Sequence, residues 1–189
     1  MPKRLVRIND MKVVFGSEID EGYCTLSYSW NQSGDMIEDK ESGNCERSDQ
    51  GKHQITCPAR TVQKKLRGRK RISRRVKFVK FEGLIQHICK DFNIKYIWFD
   101  QMCINQNDIK EKQQGIQQTH KIYNNAYCTI ALVSELKIYP QHRLFNGRNR
   151  GYDIDPSSIL ESQWMKRIWN LEEALMSKRI LAIGCKVYT

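Results

Sequence analysis

The chain has 189 residues, 40% hydrophobic and 10% aromatic, with a formal net charge of +11. This composition supplies enough apolar material for one core and excludes an intrinsically disordered chain; the simplest organisation is an N-terminal extension, residues 1–22, followed by a single domain over residues 23–189. Met1-Pro2-Lys3-Arg4 leads into no apolar stretch, and no segment approaches the ~20 apolar residues that cross a bilayer, so a cytoplasmic protein with no membrane span is expected.

Residues 23–28, Tyr-Cys-Thr-Leu-Ser-Tyr, suit a first strand, after which Ser29-Trp30-Asn31 opens a long polar excursion. Residues 31–78 carry few apolar anchors and read as a long loop or mobile insertion. Eleven bases and no acid lie between residues 60 and 80, from Arg60 to Lys80, so the rest of the chain is formally neutral (11 − 11 = 0). Such a run attracts nucleic acid, anionic lipid or an acidic partner by Coulomb force and counterion release, and its plainer reading is a solvated charge run.

Phe81, Leu84, Ile85, Ile88, Cys89 and Phe92 recur at helical spacing and predict one buried helix face. A strand over 95–99 follows, its β-branched and aromatic residues ending abruptly in the polar loop Asp100 to Asn107. Asp108 and Glu111 are spaced as a capping box that starts a helix running to about Asn125. Tyr127 to Val133 reads as an interior strand, Ser134 to Ser158 as loop, Ser162 to Ser177 as a final helix, and Arg179 to Ile183 as a last strand. Strands alternating with helices predict an α/β fold: a mostly parallel sheet covered on both faces, joined by right-handed crossovers.

The chemistry-bearing residues are few. The seven cysteines form no Cys-x-x-Cys and are odd in number, which argues against a disulfide framework, and a Cys45/Cys57/His53 metal cluster falls short of the four close ligands of structural zinc, so no metal is expected. There is no Gly-rich nucleotide cradle. Cys103 is a candidate nucleophile only if a histidine joins it in space. On the final helix Trp164, Ile168, Leu171 and Leu175 form the stripe expected to face the sheet, while Trp169 and Glu173, four apart, point away from it as a cleft wall would. Asp100, at a strand's carboxyl end, is a candidate base or hydroxyl acceptor and equally a cap.

Taken in order, Tyr23 to Trp30, then Tyr96-Ile97-Trp98-Phe99-Asp100-Gln101-Met102-Cys103-Ile104-Asn105-Gln106 with Glu111, then Ile122-Tyr123 and Ala126, then Trp164, Arg167 and Trp169-Asn170-Leu171-Glu172-Glu173 closely resemble the heterokaryon incompatibility (HET) domain of fungi. The resemblance covers about residues 23–183, and its central block is the most specific part. Asn31, Thr119 and Glu172 stand where the family usually has Gly, Met and Gln, and the basic run has no counterpart.

HET domains are described as effectors of programmed cell death, non-self recognition and innate immunity, and they look like distant relatives of Toll/interleukin receptor (TIR) domains. The resemblance therefore implies a TIR-like, flavodoxin-like fold. It also implies NAD+ cleavage at the ribose-nicotinamide bond, with Glu173 in the catalytic position. NAD+ would be substrate, with no cofactor required. Nicotinamide is a cationic leaving group, so one carboxylate that stabilises an oxocarbenium-like ribose meets the chemical demand. Ser29, Trp30 and Trp169 are then expected against the substrate, Asp100, Asn105 and Gln106 at ribose or base edges, and Arg167 at the pyrophosphate. Self-association and a regulatory C-terminal region or partner protein are also implied. The alternatives are a non-enzymatic homotypic-assembly module of the same fold and a nucleic-acid binder acting through residues 60–80.

Overall fold

The computed structural model describes residues 1–38, 45–58, 65–66, 69–70, 74–136, 138–140 and 152–184. Arg60, Lys64, Arg67 and Arg71 of the basic run, and the side chains of Cys45 and Cys57 in the weighed metal cluster, lie outside the described residues. The chain divides into two compact units, Met1–Ser29 with Lys95–Cys185, and Trp30–Ile94 with Lys186–Thr189.

The first unit is built on a six-stranded mixed sheet with helices, an α/β architecture. Its strands are β1 (Arg4–Arg7), β2 (Lys12–Phe15), β3 (Cys24–Ser27), β4 (Tyr96–Trp98), β5 (Thr129–Leu132) and β6 (Ile180–Ile183), in the order β6-β5-β3-β4-β1-β2. The four strands β6, β5, β3 and β4 run parallel, and β1 and β2 close one side antiparallel. The parallel strands β3 and β5 are buried at every position, as unbroken apolar and Thr/Ser runs must be when both faces are covered. Residues 1–22 supply two of the strands, and Leu5 and Val6 are fully buried in the sheet.

The helices of this unit are α2 (Asp100–Cys103), α3 (Ile109–Asn125), α4 (Pro156–Leu160) and α5 (Ile168–Met176), and α1 (Phe81–Asp91) belongs to the second unit. Asp108 caps α3, its Oδ1 accepting from Lys110 N–H (2.9 Å) and Glu111 N–H (3.1 Å). Glu111 does not return to the cap, as a full capping box would; it takes a two-pronged ion pair from Arg4 on β1 (2.9 and 3.2 Å). The apolar stripe of α3 is thin, with only Ile122 and Tyr123 buried.

The final helix departs from expectation. Residues 162–167 form turns after α4, and α5 begins at Ile168. Trp164 is buried against Ala131 and Val133, yet Ile168 is 77% and Leu175 74% exposed, with Leu171 also exposed. The inward face is instead Asn170, Glu173, Ala174 and Ser177. The reason is what lies beneath: Ser27, Tyr123 and Thr129 offer α5 polar partners, and apolar periodicity sets a buried face only where the surface below is apolar.

In the second unit, α1 (Phe81–Asp91) buries Phe81, Leu84, Ile85, Ile88 and Cys89 as predicted, while Phe92 at its end is exposed. Asn93 at φ 54° closes it in a Schellman motif, with Ile94 N–H to Cys89 O (2.7 Å) and Asn93 N–H to Lys90 O (3.2 Å). Its N-terminus is held from afar by Asp49, whose Oδ2 accepts from Phe81 N–H. Residues 31–78, expected as loop, contain short antiparallel ladders: Asp35–Glu38 with Cys45–Ser48, His53–Pro58 with Arg74–Val79, and Lys65–Leu66 with Arg69–Lys70. The alternation Arg-Val-Lys-Phe in 75–78 is a strand signal that charge hides. Among the described residues no helix is long and apolar enough to cross a membrane.

Candidate active site

Two adjacent parallel strands, β3 and β4, end side by side and deliver polar residues at their carboxyl ends. β3 finishes at Ser27 and continues through Tyr28 and Ser29, and β4 continues through Phe99 into Asp100 at the first turn of α2. Tyr28 OH donates to Asp100 Oδ1 (3.2 Å), which also accepts from Gln101 N–H (2.8 Å). Phe99 is the N-cap residue of α2, and the Asp100 carboxylate is engaged by the Tyr28 hydroxyl and by the amide that follows it. Arg167, the N-cap residue of α5, donates from Nη1 to Ser29 Oγ (3.3 Å).

Glu173 projects from the inward face of α5 into this group. Burial is the main cause that pushes its carboxyl up to about 7; the Asp100 charge acts the same way, while Ser27, Tyr123 and Arg167 pull it down. Its Oε2 is shut off from solvent with no hydrogen-bond partner among the described residues. Trp164 Nε1 donates to Ser27 Oγ (2.9 Å), so the Ser27 hydroxyl proton is available to the carboxyl. Tyr123 OH donates to the Leu26 carbonyl (3.0 Å), and its own ionisation is pushed well up, first by burial and next by the Glu173 charge.

The backbone under Glu173 is fixed as well. Its carbonyl accepts from Ser177 Oγ, which also bonds Thr129 Oγ1, and Thr129 Oγ1 in turn meets Thr25 Oγ1 (2.7 Å). Asn170 Nδ2 ties the first turn of α5 to the Trp164 carbonyl (3.1 Å). A carboxylate positioned this firmly, desolvated and short of one partner, is a common arrangement at sites where charge develops during a reaction.

Ser29, Asp100, Arg167 and Glu173 thus share one end of the sheet. The other expected residues sit differently. Asn105 Oδ1 accepts from Asn107 N–H (3.1 Å), and Gln106 Nε2 donates to the carbonyls of Asp100 (3.1 Å) and Ile104 (3.3 Å), so both amides brace their own loop. Trp169 is 61% exposed on the first turn of α5. Trp30 belongs to the second unit, where it opens the turn Trp30–Ser33. Cys103 is buried, which pushes its thiol up to about 12, so it stays protonated at neutral pH and offers no nucleophile. No group of three or more His, Cys, Asp or Glu among the described residues can hold a metal.

The family model for Heterokaryon incompatibility protein (HET) matches residues 23–150. The chain belongs to this family. No curated protein and no solved structure matches it. Membership carries a role in heterokaryon incompatibility, and the matched span contains β3, β4, α3, β5 and Asp100. Arg167, Trp169 and Glu173 lie beyond it, so in this HET protein their part rests on geometry and on the resemblance of the segment from Trp164 to Glu173. Ser27, Tyr28, Tyr123 and Trp164 complete the surroundings of Glu173 and Asp100. The sequence signal for them was positional only: all four stood in the recognisable blocks, Ser27 and Tyr28 in the run from Tyr23 to Trp30, with no role attached.

Proposed function

We propose that this HET protein hydrolyses NAD+ at the bond between ribose and nicotinamide, with Glu173 as the catalytic carboxylate, and acts through that reaction in programmed cell death. The single observation that carries the reading is the buried, incompletely satisfied Glu173 carboxyl at the carboxyl end of a parallel sheet. The resemblance of Thr25-Leu26-Ser27-Tyr28 and of the segment Trp169 to Glu173 to the corresponding segments of TIR domains supports it. In the reaction the C–N bond breaks, its electron pair returns to the nicotinamide ring, and ionised Glu173 faces the oxocarbenium-like ribose. Water then adds to the anomeric carbon, giving ADP-ribose, nicotinamide and one proton. The positive nicotinamide ring itself favours ionisation of a carboxyl poised near neutrality. In this reading Arg167 and Ser29 meet phosphate or hydroxyl oxygens, and Asp100 a ribose hydroxyl. NAD+ is consumed as substrate and no cofactor enters.

The test is nicotinamide release by the concentrated protein, wild type beside Glu173→Gln. Release by wild type and its loss in the variant are expected. Equal release from both, or none from wild type at any concentration, would sink the reading.

A second reading is favoured by a separate observation, the exposed outer face of α5 with Ile168, Trp169 and Leu175. An apolar face on the helix that carries Glu173 suits contact with a second copy of the chain. Self-association would then either complete the enzyme or, if no NAD+ is consumed, constitute the signal. Trp169 serves that contact here, in place of stacking on a base.

A further inference from the structure

We infer that Cys24 and Cys128 form a peroxide-oxidisable dithiol, a disulfide couple across the amino ends of two neighbouring parallel strands. The Sγ atoms are 3.5 Å apart and in hydrogen-bonding contact. Each cysteine immediately precedes a paired position, since Thr25 and Thr129 are register partners on β3 and β5, and Thr25 N–H donates to the Cys128 carbonyl (3.0 Å). Neighbouring strands are ~4.8 Å apart, which puts the pair within the Cα separation that a disulfide accepts without moving the backbone.

The two thiols are unequal in a way that assigns their roles. Cys24 is buried and Cys128 is partly exposed. The Cys24 hydrogen bond first, and then the Arg179 charge, bring the Cys128 thiol down to about 7 against the opposing effect of burial. Arg179 is held nearby, its guanidinium 5.2 Å from the Tyr127 ring centroid. Cys128 is thus the sulfur that meets a hydroperoxide, and Cys24 the one that resolves it.

The chemistry balances with hydrogen peroxide as oxidant. The Cys128 thiolate attacks one peroxide oxygen, the O–O bond breaks, and Cys128 becomes a sulfenic acid with release of hydroxide, which takes up the thiol proton as water. Cys24 sulfur then displaces the second oxygen as water. Two thiols are oxidised, one peroxide is reduced, and two waters leave.

Trypsin places each cysteine alone in its peptide, residues 13–40 and 122–137, so the link is directly readable. The folded wild-type protein treated with hydrogen peroxide and then digested without reductant should yield these two peptides joined, lighter by two hydrogens and separated again by dithiothreitol. In Cys24→Ser, dimedone should trap a sulfenic acid on Cys128. In Cys128→Ser, Cys24 should keep its thiol after peroxide, read as full alkylation of that cysteine in the peptide of residues 13–40. Unlinked peptides from wild type after peroxide, or either cysteine joined to another partner, would overturn the inference, and wild type alone decides this should a variant fold poorly. The couple lies at the strand ends away from Ser29 and Asp100, so its oxidation is scored without reference to NAD+.

Discussion

Replacing Glu173 by Gln keeps the side chain's size and removes its ionisation, which makes the desolvation of this carboxyl measurable. Burial raises it from 4.5 to about 7, so between those values the folded protein holds a proton that the unfolded chain has released. Stability therefore falls as pH rises through that window: the contribution is complete below the unfolded value and lost by the folded one. The displacement is worth about 3 kcal/mol once the carboxylate is fully ionised, an upper figure because relaxation and water entry reduce it. Urea unfolding followed by the fluorescence of the four tryptophans, at steps from pH 4 to 8, gives both curves. The difference between Glu173→Gln and wild type should be small at the acid end and grow in the variant's favour toward pH 8, because other titrating groups cancel. A difference that stays flat across the range would refute the desolvation argument, and with it the reason for singling out Glu173. In the enzymatic reading the same ionisation appears as a rise in kcat/KM centred near pH 7.

Two further outcomes follow from the fold. Asp108→Ala removes the acceptor for Lys110 and Glu111 N–H at the start of α3 and should cost about 1 kcal/mol, seen as a lower unfolding midpoint; an unchanged midpoint would mean that the cap is idle. Ile168→Glu combined with Leu175→Glu should abolish concentration-dependent association in sedimentation or size-exclusion experiments. Wild type that stays monomeric at every concentration, or a variant that associates equally well, would remove α5 as a contact surface.

Local pattern carried far in this chain. The helices at Phe81–Asp91 and Ile109–Asn125, the parallel strands from Cys24, Tyr96, Thr129 and Ile180, and the Asp108 cap all follow from periodicity and end signals that involve residues a few positions apart. The HET blocks were equally legible, because a specific run such as Tyr96 to Gln106 needs no neighbour to be recognised. Three things lay beyond that range. The ladder of His53–Pro58 with Arg74–Val79 pairs segments separated by a charged stretch, and neither alternation announces its partner. β1 and β2 join the sheet through contacts with Tyr96 and Ile97, about ninety residues away in sequence.

The orientation of α5 is the third, and it decides the site. Its sequence determined a helix with an apolar stripe and a Trp169/Glu173 pair; only the tertiary structure could turn that stripe outward, because the floor supplied by β3, β5 and α3 is hydroxyl-rich. Glu173 thereby passes from an expected cleft wall, pointing away from the sheet-facing stripe, to the inward face, where burial and Asp100 raise it together. The same fold brought Cys24 and Cys128 to 3.5 Å, a pairing that residues 104 apart could not declare. Composition and spacing settle which elements a chain can form, while the partners of its charged and sulfur atoms are fixed by which strands end side by side.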